Sequence, residues 1–331
     1  MAKLSVLIAL SSNENITNLC LESLTLQTFD DFECLCVIQN QDEYPFLLNL
    51  IKKDNRFKLI KTQSIPETKW DAYNEALYHV KGKYVLFLND TDLLHIQALD
   101  IFYDSLRYTH TQLATSNPTY FSTQKVEKKQ KSIIHFDKSV LKKRNQNILP
   151  DFWQENPFHI DAQLEGKVFS AEIVSYLKFH TNLKEFAPYF FVEQFYSLIK
   201  DIVYIKHPIY LCRKESHIPA LSSFETLVNL KERIIFEYAY FIESGRINGY
   251  NTIVLKRRCS QDFFNALKQV ILHTPERTLI CINQQIITLI HEMKEYDMMQ
   301  GLSLSIFQKT IVFLLTKNKL SFAKKLLKFL F

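Results

Sequence analysis

Four polar residues, Asn89 to Asp92, directly follow the apolar run Val85 to Leu88. Mg²⁺ or Mn²⁺ in proteins commonly takes one or two carboxylates together with oxygens of a bound phosphate ester. The spacing therefore predicts that Asp90 and Asp92 hold such an ion. The same residue types are equally common in turns and at helix N-termini, here before the run Ile96 to Leu106, so the spacing alone leaves both interpretations open.

Two other polar segments follow strand-like runs, Ser11 to Asn13 after the first run and Gln39 to Gln41 after the second. In open parallel sheets, ligands bind in the crevice beyond the carboxyl ends of the strands. Ser11, Gln39 and Asp90 are therefore candidate ligand-binding residues.

The elements that must position these residues alternate along the first hundred positions. Apolar runs of strand length alternate with segments of helical periodicity, which predicts a mostly parallel sheet flanked by helices. The predicted strands are Leu4 to Leu10, Phe32 to Ile38, Phe57 to Ile60 and Tyr84 to Leu88, and the helices include Pro45 to Lys52 and Trp70 to Val80.

Composition excludes several classes of protein. The chain has 331 residues, 47% of them apolar, which excludes a disordered chain. It has only five glycines, and no cluster of them suited to a phosphate-binding loop or a dinucleotide fingerprint. Six cysteines without a CxxC pair are typical of reduced, buried thiols, so we expect a cytoplasmic protein.

The basic excess lies in the C-terminal third, where residues 221–331 hold 15 Lys and Arg against 9 Asp and Glu. We expect two regions, residues 1–220 and a helical region over residues 221–331. Within the first, the basic segments at Lys125 to Lys131 and Lys142 to Arg144 are interpreted as a solvated loop or hairpin, or as a surface for an anionic ligand.

Three ordered blocks resemble the family-2 inverting glycosyltransferases of the GT-A fold. They are KLSVLIALSSNENITNLCLESLTLQTFDDFECLCVIQNQ, WDAYNEALYHVKGKYVLFLNDTDLLHIQAL and IVYIKHPIYLCR, which together extend over residues 3–215. The resemblance implies a nucleotide-diphospho-sugar transferase fold with a mostly parallel central sheet and, here, a helical C-terminal extension. It also implies that Asn74, which matches a family asparagine, helps to bind the donor.

The chain departs from the family pattern at several of the matched positions. The family's pair of aspartates after the second strand is replaced by Ile38 and Gln39, although the Gln39 amide can still bond a base edge. Read without a gap, the family's metal-binding Asp-x-Asp falls on Asn89 and Thr91. Asp92 then matches a further acid that often follows this motif in the family. Asp90 matches an aspartate of the motif only if the alignment is shifted by one residue.

An inverting transfer needs a general base, which removes the proton of the acceptor hydroxyl. In the family this is usually an aspartate of a Glu-Asp pair before the late strand, and Glu193, followed by Gln194, is the nearest candidate. The alternative is a glutamate on a solvated helix face, and Asp201 is the second candidate base. His207 and His217 are interpreted as structural and surface histidines.

The last helical segment, Leu320 to Leu330, carries lysines beside a broad apolar stripe and no acid. Such a helix either lies in an anionic membrane interface or docks on its own domain, and the sequence leaves both open.

We expect an inverting glycosyltransferase that moves a sugar from a nucleotide-sugar to a hydroxyl of a surface glycan such as lipopolysaccharide or capsule. The expected cofactor is Mg²⁺ or Mn²⁺, and the expected partners are the donor and a glycan or lipid-linked glycan acceptor, with no nucleic acid. The expected location is the cytoplasm, at or near the inner face of the cell membrane. The alternative is a non-catalytic relative that keeps the fold as a binding or scaffolding module.

Overall fold

The structure is a computed structural model that describes residues 2–10, 14–38, 44–62, 68–121, 134, 142–145, 148–152, 163–213, 223–296 and 304–330. The chain divides into two compact units, one of Met1–Leu149 with Phe158–Ile218 and one of Pro150–Pro157 with Pro219–Phe331. The described strands all belong to the first unit, and the second unit is built from helices.

The strands and helices predicted over the first hundred residues lie within three residues of their predicted bounds. The strands are β1 (Leu4–Ala9), β2 (Phe32–Ile38), β3 (Phe57–Lys61), β4 (Tyr84–Phe87), β5 (Leu93–Leu94), β6 (Leu113–Ser116), β7 (Thr119–Phe121), β8 (Lys142–Asn145), β9 (Lys167–Ser170), β10 (Asp201–Ile205) and β11 (Tyr210–Arg213). The helices up to residue 198 are α1 (Glu14–Thr25), α2 (Pro45–Lys53), α3 (Lys69–Leu77), α4 (Ala98–Thr109), α5 (Ile148–Phe152), α6 (Ala171–Val174) and α7 (Ala187–Leu198). Those that follow are α8 (Phe224–Tyr238), α9 (Tyr250–His273), α10 (Glu276–Glu295), α11 (Ile306–Thr316) and α12 (Leu320–Leu330).

The main sheet has the strand order β3-β2-β1-β4-β9-β6-β10-β8. Parallel pairs join β1 to β2 and β4, β2 to β3, and β6 to β10. Two strands are antiparallel to their neighbours: β9 pairs with β4 and β6, and β8 pairs with β10. The predicted mostly parallel sheet with flanking helices is therefore confirmed. Every residue of β1 and β2 is buried, which explains why both strands are apolar almost without interruption.

The chain reverses its direction of travel across the sheet between β1 and β4. Strands β2 and β3 lie on one side of β1, and β4 lies on the other. A crevice for ligands forms at such a reversal, beyond the carboxyl ends of the strands. The loop Asn89 to Asp92 leaves β4 at this point and leads into β5, which pairs with β11 in a separate three-stranded sheet of order β5-β11-β7.

A close approach at Gly82 fixes where β4 begins. The Gly82 backbone N–H donates to Ser5 Oγ at 2.9 Å, and a Cβ on this residue would lie 2.6 Å from backbone atoms of Leu4 and Ser5. Only glycine allows the two backbones to come so near. The register of β4 against β1, and with it the position of the loop that follows β4, depends on this contact.

One segment differs from its sequence interpretation. Lys142 to Arg144 does not form a solvated loop or hairpin but belongs to β8, which pairs antiparallel with β10 at the edge of the main sheet. The segment Lys125 to Lys131 lies outside the described residues. Ile134 is half-buried, and the Gln97 side-chain amide bonds both its N–H and its carbonyl oxygen.

The cysteines are free thiols, and five of the six are buried as predicted, whereas Cys281 is exposed. Burial raises the pKa values of the Cys20, Cys34 and Cys259 thiols well above their usual range. Each of these three side chains therefore stays protonated and serves as a small apolar residue of the core.

The helical unit contains a buried ionic cluster between α8 and α9. Glu237 has no exposed surface, and its carboxylate lies 3.2 Å from the Arg258 guanidinium and 3.6 Å from that of Arg233. The Cys259 thiol also donates to Glu237, at 3.3 Å. In the part of the chain that the structure describes, no helix is long and apolar enough to cross a membrane.

Candidate functional site

Asp92 holds the loop after β4 against β11. Its side chain is fully buried, and Oδ1 accepts the backbone N–H of Arg213 at 2.9 Å. Its Oδ2 accepts the Tyr210 hydroxyl and the Asn89 amide, each at 3.1 Å. Both carboxylate oxygens are thus engaged by buried donors, and we conclude that Asp92 organises the loop.

Asp90 comes from the same loop and lies near the start of α1. It is 7% exposed, and the Thr17 hydroxyl donates to its Oδ2 at 3.3 Å. Burial raises the pKa of the Tyr73 hydroxyl well above its usual range, and the neighbouring charge of Asp90 adds to this shift. Tyr73 therefore remains a neutral donor, and its hydroxyl bonds the Leu88 carbonyl at 3.1 Å, one residue before the loop.

Asn89 connects the loop to three other parts of the first unit. Its backbone N–H donates to the Tyr210 hydroxyl at 3.3 Å, and its side-chain nitrogen donates to Glu165 Oε1 at 2.8 Å as well as to Asp92. Its side-chain oxygen accepts from Lys69 Nζ at 3.2 Å. The loop thus brings together Lys69 at the start of α3, Glu165 before β9 and Tyr210 of β11.

Glu165 is a site residue that the sequence analysis did not identify. It precedes Gly166, which has φ +70° and whose Cβ, if present, would lie 2.3 Å from the Ser116 carbonyl oxygen. A glycine that permits a tight turn just before an apolar strand was the available signal, since it marks the preceding side chain as held at the end of a strand.

Arg213 brings a positive charge to the other side of the loop. Its Nε donates to the Thr91 carbonyl at 3.1 Å, and its guanidinium lies 5.1 Å from the centre of the Phe121 ring. The residue is only 4% exposed, so this charge is held in a fixed place next to the loop.

Of the other residues predicted to bind the donor, the structure describes Asn74. The Asn74 amide bonds the backbone of Phe179 in both directions, accepting its N–H at 2.8 Å and donating to its carbonyl at 2.9 Å. Asn74 therefore anchors the chain before α7, and one amide hydrogen is left for a ligand, so its donor contact stays a prediction. Ser11, Gln39 and His217 lie outside the described residues.

The two candidate bases lie in different surroundings. Glu193, in α7, is fully buried, so the alternative of a solvated helix face is wrong. Phe191, two residues earlier, stacks on Phe179 with ring centres 4.2 Å apart. Asp201 is the first residue of β10, which runs in the same direction as β4, and it therefore lies at the opposite edge of the sheet from the loop after β4. This position argues against Asp201 as a base.

The expected pair of metal ligands does not fit the geometry. Asp92 is buried with both oxygens engaged, and Asp90 is itself only 7% exposed, with its Oδ2 bonded to Thr17. Among the residues that the structure describes, no group of three or more His, Cys, Asp or Glu side chains is arranged to hold a metal ion.

Comparison with known proteins agrees with this architecture. Residues 5–164 match the family described as Glycosyl transferase family 2. These residues form a family 2 glycosyltransferase domain. No curated protein matches the sequence.

Solved structures resemble the chain over nearly its whole length. S. aureus TarS 1-349 superposes with a TM-score of 0.70 at 13% identity, over 98% of this chain and 90% of that one. The same S. aureus TarS fragment in complex with UDP-GlcNAc gives 0.66 at 12% identity, with the same coverage. At such low identity the likeness establishes a shared fold, which is the GT-A fold expected for the family 2 domain.

Proposed function

We propose that the chain transfers a sugar, with inversion, from a nucleotide-sugar to a hydroxyl of a surface glycan such as lipopolysaccharide or capsule. The observation that carries the proposal is the loop Asn89 to Asp92, which leaves a parallel sheet of a family 2 domain at the point where the strand order reverses. TarS, which shares the fold, has been crystallised with UDP and UDP-GlcNAc, which favours a uridine diphosphate donor. In this proposal residues 1–220 form the transferase domain and residues 221–331 a helical accessory region.

Each residue of the site has a role in the proposed reaction. Asp90 and Asn74, with Ser11 and Gln39, bind the donor, while Asp92 and Tyr210 hold the loop that carries Asp90. Glu193 removes the proton of the acceptor hydroxyl as that oxygen attacks the sugar carbon from the face opposite the nucleotide.

The metal requirement is a separate part of the proposal. Asp92 is engaged in holding the loop, so Asp90 is the candidate ligand of Mg²⁺ or Mn²⁺ that remains from the predicted pair, and we base no step of the reaction on the ion. The measurement is the affinity for uridine diphosphate with Mg²⁺, with Mn²⁺ and with chelator. A tightening on addition of metal that Asp90→Asn abolishes would support Asp90 as a ligand.

The central experiment measures diphosphate release from a panel of nucleotide-sugars with the purified chain. We expect one donor to be turned over, and Glu193→Gln to reduce kcat by about a hundredfold or more while the affinity for the donor is retained. Asp201→Asn is the matched control, because its carboxylate lies at the far edge of the sheet. Equal rates for Glu193→Gln and the unmodified chain would refute the assignment of the base.

The competing function is a non-catalytic binding module. The chain lacks an acid at several positions where the family pattern has one, and these departures favour the alternative. They include Ile38, Asn89, Thr91 and Gln194. Thermal shift with uridine and guanosine diphosphates separates the two functions. Stabilisation by one diphosphate supports a donor site, whereas no stabilisation by either supports the scaffold.

We also propose that the C-terminal helix, α12, contacts an anionic membrane at the inner face of the cell. The predicted apolar stripe of α12 is partly used within the unit, since Leu320, Ala323 and Leu327 are buried. Phe322 and Phe329 remain 60% and 85% exposed. Residues 304–330 carry six lysines and no acid, so the aromatic rings lie in a positively charged surface.

Vesicle sedimentation tests this membrane contact. We expect binding to vesicles with anionic lipid and little binding to neutral ones, and we expect the double variant Phe322→Ser with Phe329→Ser to lose it. Tyr78→Ser is the matched control, because Tyr78 is an equally exposed aromatic residue of the first unit. Equal binding to neutral vesicles, or full binding by the double variant, would contradict the proposal.

A further inference from the structure

Lys69 is an exposed cation that contacts the loop after β4, whereas Arg213 contacts the same loop from a buried position. Lys69 Nζ donates to Asn89 Oδ1 at 3.2 Å and lies 4.4 Å from the centre of the Trp70 ring. The side chain is exposed, so a ligand in the crevice can reach the ammonium group. An ammonium group has three N–H donors, and the contact with Asn89 uses one of them.

The backbone that carries Lys69 is fixed at the carboxyl edge of the sheet. Lys69 is the first residue of α3, which begins with a capping box. Thr68 Oγ1 accepts the Asp71 backbone N–H at 3.3 Å, and the Asp71 carboxylate accepts the Thr68 backbone N–H at 2.9 Å. Because α3 leads into β4, its N-terminus lies at the edge where β4 ends, and the contact with Asn89 confirms this placement.

The identity of residue 89 decides how much charge Lys69 presents. An aspartate at this position would form an ion pair with Lys69 and neutralise it. The Asn89 amide oxygen instead orients the ammonium group and leaves its positive charge in place. The departure from the family pattern at residue 89 therefore leaves an oriented cation next to the loop after β4, where a carboxylate and its metal would otherwise lie.

We propose that Lys69 binds the diphosphate of the donor and stabilises the negative charge of the leaving diphosphate. Lys69 is thus assigned as a donor-binding residue that the sequence analysis did not identify. This inference rests on the proposed function, because it needs a diphosphate in the crevice beyond β4. The bond between sugar and diphosphate breaks with its electron pair on the diphosphate oxygen, and the charge that develops there is what a fixed ammonium group stabilises.

The test compares the affinities of uridine diphosphate and uncharged uridine, measured by calorimetry and by NMR titration. Lys69→Met should weaken uridine diphosphate binding by about tenfold or more, since a hydrogen bond to a charged group is removed. Uridine binding should be unchanged, and Lys69→Arg should retain most of the affinity for the diphosphate. The diphosphate affinity of the unmodified chain should also fall with added salt more steeply than that of Lys69→Met.

Lys83→Met is the matched control. Lys83 is another exposed lysine whose ammonium lies over a neighbouring ring, that of Tyr84 at 5.4 Å, but it precedes β4 and lies at the other edge of the sheet. This variant should bind uridine diphosphate as the unmodified chain does.

The outcomes separate this inference from the proposed function. If the unmodified chain binds uridine diphosphate and Lys69→Met binds it equally well, the assignment of Lys69 is refuted while the proposed function stands. Equal losses of uridine and uridine diphosphate binding would also refute it, because they would indicate a structural effect on the crevice. A chain that binds neither uridine nor guanosine diphosphate would overturn both.

Discussion

Replacement of Asp92 by alanine should destabilise the first unit strongly. Its carboxylate accepts three hydrogen bonds, from the Arg213 backbone, the Tyr210 hydroxyl and the Asn89 amide. Each buried donor that loses its acceptor costs about 1–3 kcal/mol. Because the three donors converge on one carboxylate and their losses are not additive, we expect a total of about 4 kcal/mol.

Urea unfolding followed by tryptophan fluorescence measures this loss. The chain has two tryptophans, so a Trp153→Phe background leaves Trp70, which stacks on Phe179 in the first unit, as the reporter. With a slope of about 2 kcal/mol per M urea, 4 kcal/mol lowers the midpoint by about 2 M. Tyr210→Phe leaves Asp92 two donors but also removes the acceptor of the Asn89 backbone N–H, so it should cost about 2 kcal/mol.

A midpoint for Asp92→Ala within about 0.3 M of the background would refute the reasoning. It would mean that the loop is held by contacts other than those of Asp92. An effect of Tyr210→Phe as large as that of Asp92→Ala would also contradict it, because the hydroxyl would then account for the whole interaction.

Three further predictions concern stability and thiol reactivity. Gly166→Ala should lower the free energy of unfolding by about 3 kcal/mol or more, measured by calorimetry, because φ is +70° and the new Cβ would clash with the Ser116 carbonyl oxygen. Gly245→Ala is the control and should cost about 1 kcal/mol, since φ is also +70° but no atom of a non-neighbouring residue lies within 4 Å of the new Cβ. Glu237→Gln should destabilise the helical unit by about 3–5 kcal/mol in thermal unfolding, since two arginines lose a buried partner. Glu232→Gln should change it by under about 1 kcal/mol, because the Glu232 side chain is exposed and its partner Lys231 keeps its ion pair with Glu292. One thiol per native chain should react rapidly with Ellman's reagent, and Cys281→Ser should abolish this reaction; rapid labelling of several thiols would contradict the burial of the other five.

The sequence predicted the elements whose residues are buried on both faces. β2 has the bounds predicted for it, because an uninterrupted apolar run between polar segments has few alternatives. β8 was missed because an edge strand of lysines, arginine and asparagine has no apolar pattern. Its pairing with β10 depends on the neighbouring strand, which lies far away in the sequence.

The sequence predicted the loop after β4 as the candidate site, but it did not predict which residues of other elements contact that loop. Asp90 and Asp92 were placed correctly beyond β4, but the different burial of their carboxylates depends on Tyr210 and Arg213 of β11. Glu165 lies 76 positions from Asn89, and no local pattern connects the two. Asp201 was a reasonable candidate base by its distance along the chain. Only the directions in which β4, β9, β6 and β10 pair place it at the end of the sheet opposite the loop after β4.

The amide at residue 89 and the acid at residue 165 form a complementary pair. An aspartate in place of Asn89 would set a third carboxylate within about 3 Å of Glu165 and Asp92, and like charges so close cannot all ionise. Unless Lys69 or a metal ion offsets the added charge, the two positions should therefore change together. In a chain of this architecture, aspartate at the first position with glutamate kept at the second is thus a sign that the cleft holds a compensating cation.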